Sequence, residues 1–389
     1  MNMKLLGSSL ILGGTALGAG MLAIPMVLAQ FGFITSSILM LIIFVGTTYA
    51  SLLLTEACSK TKQSNSMSSV AEYTLGKSGK RFINALFYLL LVCMSIAYLL
   101  GIGDIIHKLF DDQEIYVSAS TSYTLFSLIM GLVVASGAAY IDRLNRGLFI
   151  LMVVMLFLVI TTLLGNVSFD YLVETSQYTG QEVVRYSAII FTSFVSMVVI
   201  PSLVNYNREA SSKELRNMVL LGSVIPLVCY LTWLFAIIGN LGTEAISRFH
   251  NISELINAFS NQGAHIKAII AIFSALALVT SFLGVSMALY DQNRDMVTAK
   301  RPVAYALTFV LPIVLATLFS NQFVSMLDYA GMVLVFLAIW GPLAMVRKVR
   351  HPEYSQPIAD NAYTAGGGNA ALVSTTLFGG LILISWFMG

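Results

Sequence analysis

Charge is what this chain has least of: Asp, Glu, Lys and Arg together make up 10% of its 389 residues. So little charge cannot keep a surface of this size in water, and 57% hydrophobic residues with a mean hydropathy of +0.84 mark a polytopic membrane protein. Histidine and cysteine are nearly as scarce. His107, His250, His265 and His351 fall in or beside loops, and Cys58, Cys93 and Cys229 sit at the end of, or inside, apolar runs without metal-ligand spacing. Neither a zinc site nor a disulfide framework is indicated, and the clustered acids, bases or nucleophiles of an integral membrane enzyme are missing. No terminal block of charge offers a nucleic-acid tail. A passive channel would need repeated filter carbonyls or a charged ring, and neither is present.

What is present is a series of apolar runs. Those long enough to span lie near 5–29, 33–56, 82–106, 122–140, 147–165, 184–206, 217–240, 265–290, 302–319, 323–346 and 370–388, which predicts eleven crossings. The first run continues to Ala29 without a small-residue cleavage pattern, so it reads as a span and not as a signal peptide. When the loops are assigned to alternate sides, only Lys108, Arg185, Arg248 and Lys267 of the 21 lysines and arginines leave the N-terminal side. That asymmetry places the N-terminus in the cytoplasm and Gly389 outside. Between the second and third runs, Met67, Val70, Ala71 and Leu75 can share one face of a short interfacial helix, with Ser64 or Ser66 as its cap. A second short helix is expected around Ile252 to Ser260, and Gly366-Gly367-Gly368 reads as a turn.

The first run holds Gly13, Gly14, Gly18, Gly20 and Pro25. Gly14 and Gly18, four apart, suit a seam where another helix packs closely. So much glycine also invites a break, which at membrane depth is tolerated only against protein or a water-filled cavity. The sixth run carries Ile200-Pro201 where the first carries Ile24-Pro25, at matching points of two five-span blocks. Five is odd, so the blocks, 5–165 and 184–346, enter the membrane with opposite topology, and 370–388 is an extra helix. An all-α inverted repeat with an interrupted leading helix in each copy is the sequence pointer to a secondary transporter.

An unwound stretch at Leu17 to Gly20 would aim free N–H groups and a positive dipole end into the cavity, a site for a carboxylate. Gly18 and Gly20 permit close approach to the backbone there. The matching break is expected near Phe191 to Ser196, where Thr192, Ser193 and Ser196 offer hydroxyls and Phe191 or Phe194 can stack on a flat side chain. The same hydroxyls can instead bond back to their own helix. Tyr98 is deep enough in the third run to face the cavity. Thr280 and Ser281 in the eighth, opposite first-helix carbonyls such as those of Gly14 and Leu17, can hold a small cation such as sodium through oxygen. Asp104 and Asp328 are acids within or near spans and hence candidates for ion coupling.

The segments GTALGAGMLAIP, IIFTSF, PSLVNY, GSVIPLVCY, VTSFLGV and DYAGM, in order along essentially the whole chain, resemble the bacterial aromatic amino acid permeases. These are the tyrosine and tryptophan transporters, also called hydroxy and aromatic amino acid permeases. The resemblance implies the five-plus-five fold of the bacterial leucine transporter in an inner membrane, and import of tyrosine, tryptophan or phenylalanine by proton symport, with no cofactor. It maps the carboxylate-binding turn onto Gly18, Ala19 and Gly20 and the sixth-helix substrate region onto Phe191 to Phe194; Thr15, just before the turn, is a further substrate-binding candidate. It also implies a cation between the broken first helix and the eighth, or a fifth-helix lysine in its place. This chain departs from the family in two places. After FTSF it reads Val195-Ser196-Met197-Val198-Val199-Ile200 instead of glycine, an aromatic and a histidine-glycine pair, and Met152 stands where the lysine is expected. With these departures, other neutral amino acids and sodium coupling, with any proton path through Asp104, Asp328 or Glu56, form the alternative reading.

Overall fold

A computed structural model describes residues 3–61, 66–135, 138–174, 178–246, 249, 251–297, 300–320, 322–351 and 362–387. Lys62, Ser64, Arg248, His250 and Gly389 from the sequence reading lie outside the described residues. No strand occurs among them. The helices are α1 (Met3–Ala16), α2 (Gly20–Leu28), α3 (Gly32–Ser59), α4 (Met67–Asp111), α5 (Ala119–Ala135) and α6 (Ala138–Leu164), then the short α7 (Phe169–Val173) and α8 (Gly180–Arg185). The second half has α9 (Ser187–Phe194), α10 (Ile200–Tyr206), α11 (Ser212–Leu241), α12 (Thr243–Ile246), α13 (Ile252–Ala258), α14 (Ala264–Met296) and α15 (Arg301–Leu318). It closes with α16 (Phe323–Leu334), a π-helical turn over Val335–Trp340, α17 (Gly341–Val349) and α18 (Gly368–Phe387).

Among the described residues nine helical stretches are long and apolar enough to cross a membrane, against the eleven expected from sequence. The physical reasons are local. The stretch Gly20–Ser59, at 40 residues, is about 60 Å of helix and twice a hydrocarbon core of about 30 Å. It is divided at Gly32, whose φ of 72° lets the chain reverse. α5 has 17 residues, and α1 stops at Ala16, so neither counts as a full crossing.

The short helix before the third span is present. Ser66 caps it by accepting from the Ser69 N–H, Met67, Val70 and Ala71 are buried, and Gly76 at φ 77° ends it inside α4. Apolar residues such as Ile42, Leu132 and Phe157 stay exposed on the outer surface, where lipid is their solvent. Inside, small residues set the packing. A Cβ at Gly13 would stand 2.9 Å from the Gly222 carbonyl oxygen, so α1 and α11 meet almost backbone to backbone. α14 packs on α4 and α6, and α16 on α4 and α9. α18 lies against α9, with Ser187 Oγ donating to Ser385 Oγ at 2.9 Å and the rings of Phe191 and Phe378 at 6.2 Å.

Candidate functional site

Two helices are interrupted at the centre of this packing. The first breaks over Leu17–Ala19, between α1 and α2, and the other over Val195 and Ser196, before a 3-10 turn at Met197–Val199 and α10. Both fall where the glycine cluster and the paired Ile-Pro positions led one to look. At the first break Leu17 N still donates to Gly13 O (3.3 Å), while Met21 and Leu22 reach only three residues back, to Gly18 O and Ala19 O (both 3.1 Å). Among the described residues the Gly18 N–H and the Gly14 and Leu17 carbonyls then have no hydrogen-bond partner. α2 starts without a side-chain cap. At the second break Val195 N reaches Thr192 O at 3.4 Å, and the Ser196 N–H has no partner among the described residues.

A cavity of about 640 Å³ runs from these breaks along α1, α4, α6 and α14, a volume suited to a small solute. Of the residues singled out from sequence, Gly14, Thr15, Leu17, Tyr98, Thr192, Thr280 and Ser281 line it. Ser281 is central. Its hydroxyl accepts from Ala19 N at 3.4 Å and stands 2.7 Å from where a Cβ on Gly18 would be. The amide cradle expected at Gly18, Ala19 and Gly20 therefore sits behind Ser281, whose hydroxyl lies against it. Thr280 donates to Leu276 O at 2.8 Å and lies 3.8 Å from the thioether of buried Met152. The fifth-helix position expected for a lysine thus faces the eighth-helix hydroxyl with sulfur, which carries no charge.

Other expected residues point away from this cavity. Phe191 is fully buried against Phe378, and Phe194 meets Tyr230 edge-on at 5.0 Å, so neither ring lines the cavity. Helical spacing put both near the break but could not show which way each faced. The Ser193 hydroxyl crosses to Gly20 O at 2.9 Å, and Ser196, buried, also stays off the cavity wall. Thr192 lines the wall but already donates to Ala188 O (2.9 Å) and Leu327 O (3.0 Å).

The acids are dispersed. Asp104 accepts from Ser253 N (2.7 Å) and Oγ (2.9 Å) beside a separate cavity of about 350 Å³ that also holds His107 and Lys108. Asp328 leaves Oδ1 buried without a partner among the described residues. Glu56 has no solvent exposure and takes four donors: Lys60 Nζ (2.8 Å), Arg350 Nε (2.8 Å) and Nη2 (2.6 Å), and Ala365 N (2.9 Å). That pairing holds the Arg350 pKa above its usual value. The segment leading into α18 is tied to α3 in this way, with Tyr49 OH donating to Gly366 O at 2.7 Å.

The sequence reading missed Asn145 and Phe149 of α6, which line the cavity. Asn145 sits among charges in DRLNRG and so looked like loop, and the Phe149 ring lies 2.8 Å from a Cβ built on Gly14. Tyr230 was also missed. Its hydroxyl lies 2.5 Å from Ala16 O and 2.8 Å from Ser193 O. The only signal for it was its place in the GSVIPLVCY segment.

Known proteins resemble this chain along nearly its whole length. The chain is 52% identical over 387 residues to a glutamine transporter 2 of Aliivibrio fischeri, covering 99% of this chain and 100% of the relative. It is 31% identical to a tyrosine-specific transport system 1 of Haemophilus influenzae, with 97% and 95% covered. A tryptophan-specific transport protein of the same organism is 27% identical, with 98% and 95% covered. These relatives are transporters of amino acids and not enzymes. Residues 1–386 match the model of the tryptophan/tyrosine permease family, and the chain belongs to that multi-pass membrane family of amino acid permeases.

Proposed function

We propose that this permease imports a neutral amino acid with a side-chain amide, glutamine first, by ion symport across a bacterial inner membrane. The observation that carries the substrate class is the wall at the second break. There Thr192, Val195, Val198 and Val199 line the cavity, and the two phenylalanines expected to grip an aromatic ring are packed against protein. Aliphatic walls with a few polar groups suit a slender polar side chain. The glutamine transporter of Aliivibrio fischeri, at 52% identity, supports the same choice.

In this reading the solute carboxylate takes the Gly18 N–H at the positive end of α2 and displaces the Ser281 hydroxyl from Ala19. Sodium sits between the Gly14 and Leu17 carbonyls and the Thr280 and Ser281 hydroxyls, because buried carbonyls left unpaired cost about 1–3 kcal/mol each. The chain crosses eleven times as two inverted blocks, 5–165 and 184–346, with an added last helix, and both the N-terminus and the loops rich in lysine and arginine are cytoplasmic.

Uptake of labelled glutamine into proteoliposomes, with unlabelled glutamine, leucine, tyrosine and tryptophan as competitors, tests the substrate. Glutamine is expected to compete best. Stronger competition by tyrosine or tryptophan would overturn the proposal and favour the aromatic reading, for which Phe87, Tyr98 and Phe149 on the cavity wall speak.

A further inference from the structure

Tyr230 belongs to neither broken helix, yet its hydroxyl touches both. It lies within α11, a helix of 30 residues, and is fully buried. α11 is held against α1 by the contact of Gly13 with Gly222, and further along α11 the Tyr230 side chain comes level with the first break. The hydroxyl is 2.5 Å from the carbonyl oxygen of Ala16, the last residue of α1, and 2.8 Å from that of Ser193, in the last turn of α9. A phenol has one proton to give, so these two carbonyls share a single donor. Phe194 seats the ring edge-on at 5.0 Å, and the Ser193 hydroxyl adds a bond to Gly20 O at 2.9 Å, just past the first break. Tyr230 is absent from the cavity wall. It stands behind the site and not in it.

We propose that Tyr230 is a positioning residue whose hydroxyl fastens the two unwound stretches to each other, fixing the spacing of the groups that hold the solute. Each unwound stretch has lost backbone hydrogen bonds, and without the phenol the bond from the Ser193 hydroxyl to Gly20 O is left to tie the two together, so their spacing varies more widely. Solute binding must then select the fraction of molecules in which both stretches are in place, and apparent affinity falls by that fraction. The inference rests on the reading that the solute binds at the breaks.

Tyr230→Phe keeps the ring against Phe194 and removes only the shared donor. In proteoliposomes of the full-length variant, the half-saturation concentration for glutamine is expected to rise about tenfold, as a drop to about one tenth in the competent fraction requires. The maximal rate per inserted molecule is expected to stay within about twofold, since the groups that touch the solute are unchanged. Hydrogen exchange in the solute-free protein is expected to quicken at both 16–20 and 193–197, while 362–366 keeps its wild-type rate. An unchanged half-saturation, or exchange that quickens at one break or neither, would overturn the proposal. So would a Tyr230→Phe protein that fails to insert, because the hydroxyl would then hold the fold and not the site. If the wild-type protein takes up no glutamine, the proposed substrate fails, and the exchange measurement, which needs no solute, still decides for or against Tyr230.

Discussion

Gly20 and Ser193 are in van der Waals contact across the two breaks: a Cβ on Gly20 would lie 2.9 Å from the Ser193 hydroxyl and 3.0 Å from its Cα. A hydroxyl can rotate away, but a Cα can move only with its helix. At Gly18 the crowding atom is the Ser281 hydroxyl alone, at 2.7 Å. The two glycines are therefore unequal, although they look alike in the sequence.

Gly20→Ala is expected to abolish uptake, because overpacking of about 1–3 kcal/mol falls on the geometry of both breaks. Gly18→Ala is expected to retain part of the activity, because the Ser281 hydroxyl can rotate away from the added methyl. Gly18→Val and Gly20→Val are both expected to insert and to transport nothing. Uptake normalised to the amount of protein in the membrane checks the series, and equal loss in the two Ala variants would refute the distinction.

Thr280→Val keeps the shape of the side chain and removes one oxygen. If sodium lies between α14 and the first break, the sodium concentration for half-maximal uptake should rise about tenfold, as a loss of about 1.4 kcal/mol requires. Uptake driven by imposed sodium or proton gradients reads this directly. Proton-driven uptake that ignores sodium and survives Asp104→Asn, Asp328→Asn and Glu56→Gln would exclude both the sodium site and the acids as coupling groups.

Glu56→Gln should act on stability and not on coupling. The substitution leaves the guanidinium of Arg350 and the ammonium of Lys60 without their buried counter-charge, and breaking such a pair costs about 3–5 kcal/mol. Thermal unfolding in detergent is expected to begin at lower temperature, with protease cutting near 362–366. The pH profile of uptake by the remaining folded protein should match wild type, and a shifted profile would return Glu56 to the list of proton carriers.

Asn145→Leu tests whether the α6 end of the cavity takes part in transport. Asn145 lines the cavity, and its buried Oδ1 has no partner among the described residues. Replacing it with an apolar group of similar size should weaken glutamine uptake more than leucine uptake, as measured by competition.

The sequence was most legible where backbone chemistry decides. Glycines at 18 and 20 and prolines at 25 and 201 constrain the chain whatever surrounds them, so both breaks could be located from composition alone. The cap at Ser66 and the short helix around Ile252 were legible for the same local reason. Side-chain direction was not. Phe191 turns to Phe378, some two hundred positions away in the chain, and Ser193 turns to Gly20, contacts that no local pattern encodes. Glu56 read as a coupling acid because its partners Arg350 and Ala365 are remote in sequence. The count of crossings differed because α1 stops at Ala16, the helices on either side of Gly32 run on as one stretch over Gly20–Ser59, and α5 has only 17 residues.

If the solute binds as proposed at the start of α2, which has no side-chain cap, it becomes a structural component of the protein. A ligand that supplies the absent acceptor completes a helix terminus, so its binding free energy is added to the stability of the folded state by mass action, reaching about 2.7 kcal/mol at a hundred times its dissociation constant. The melting temperature of the purified permease therefore becomes an assay of substrate identity that needs neither a gradient nor a label. Candidate amino acids can be ranked by how far each raises it.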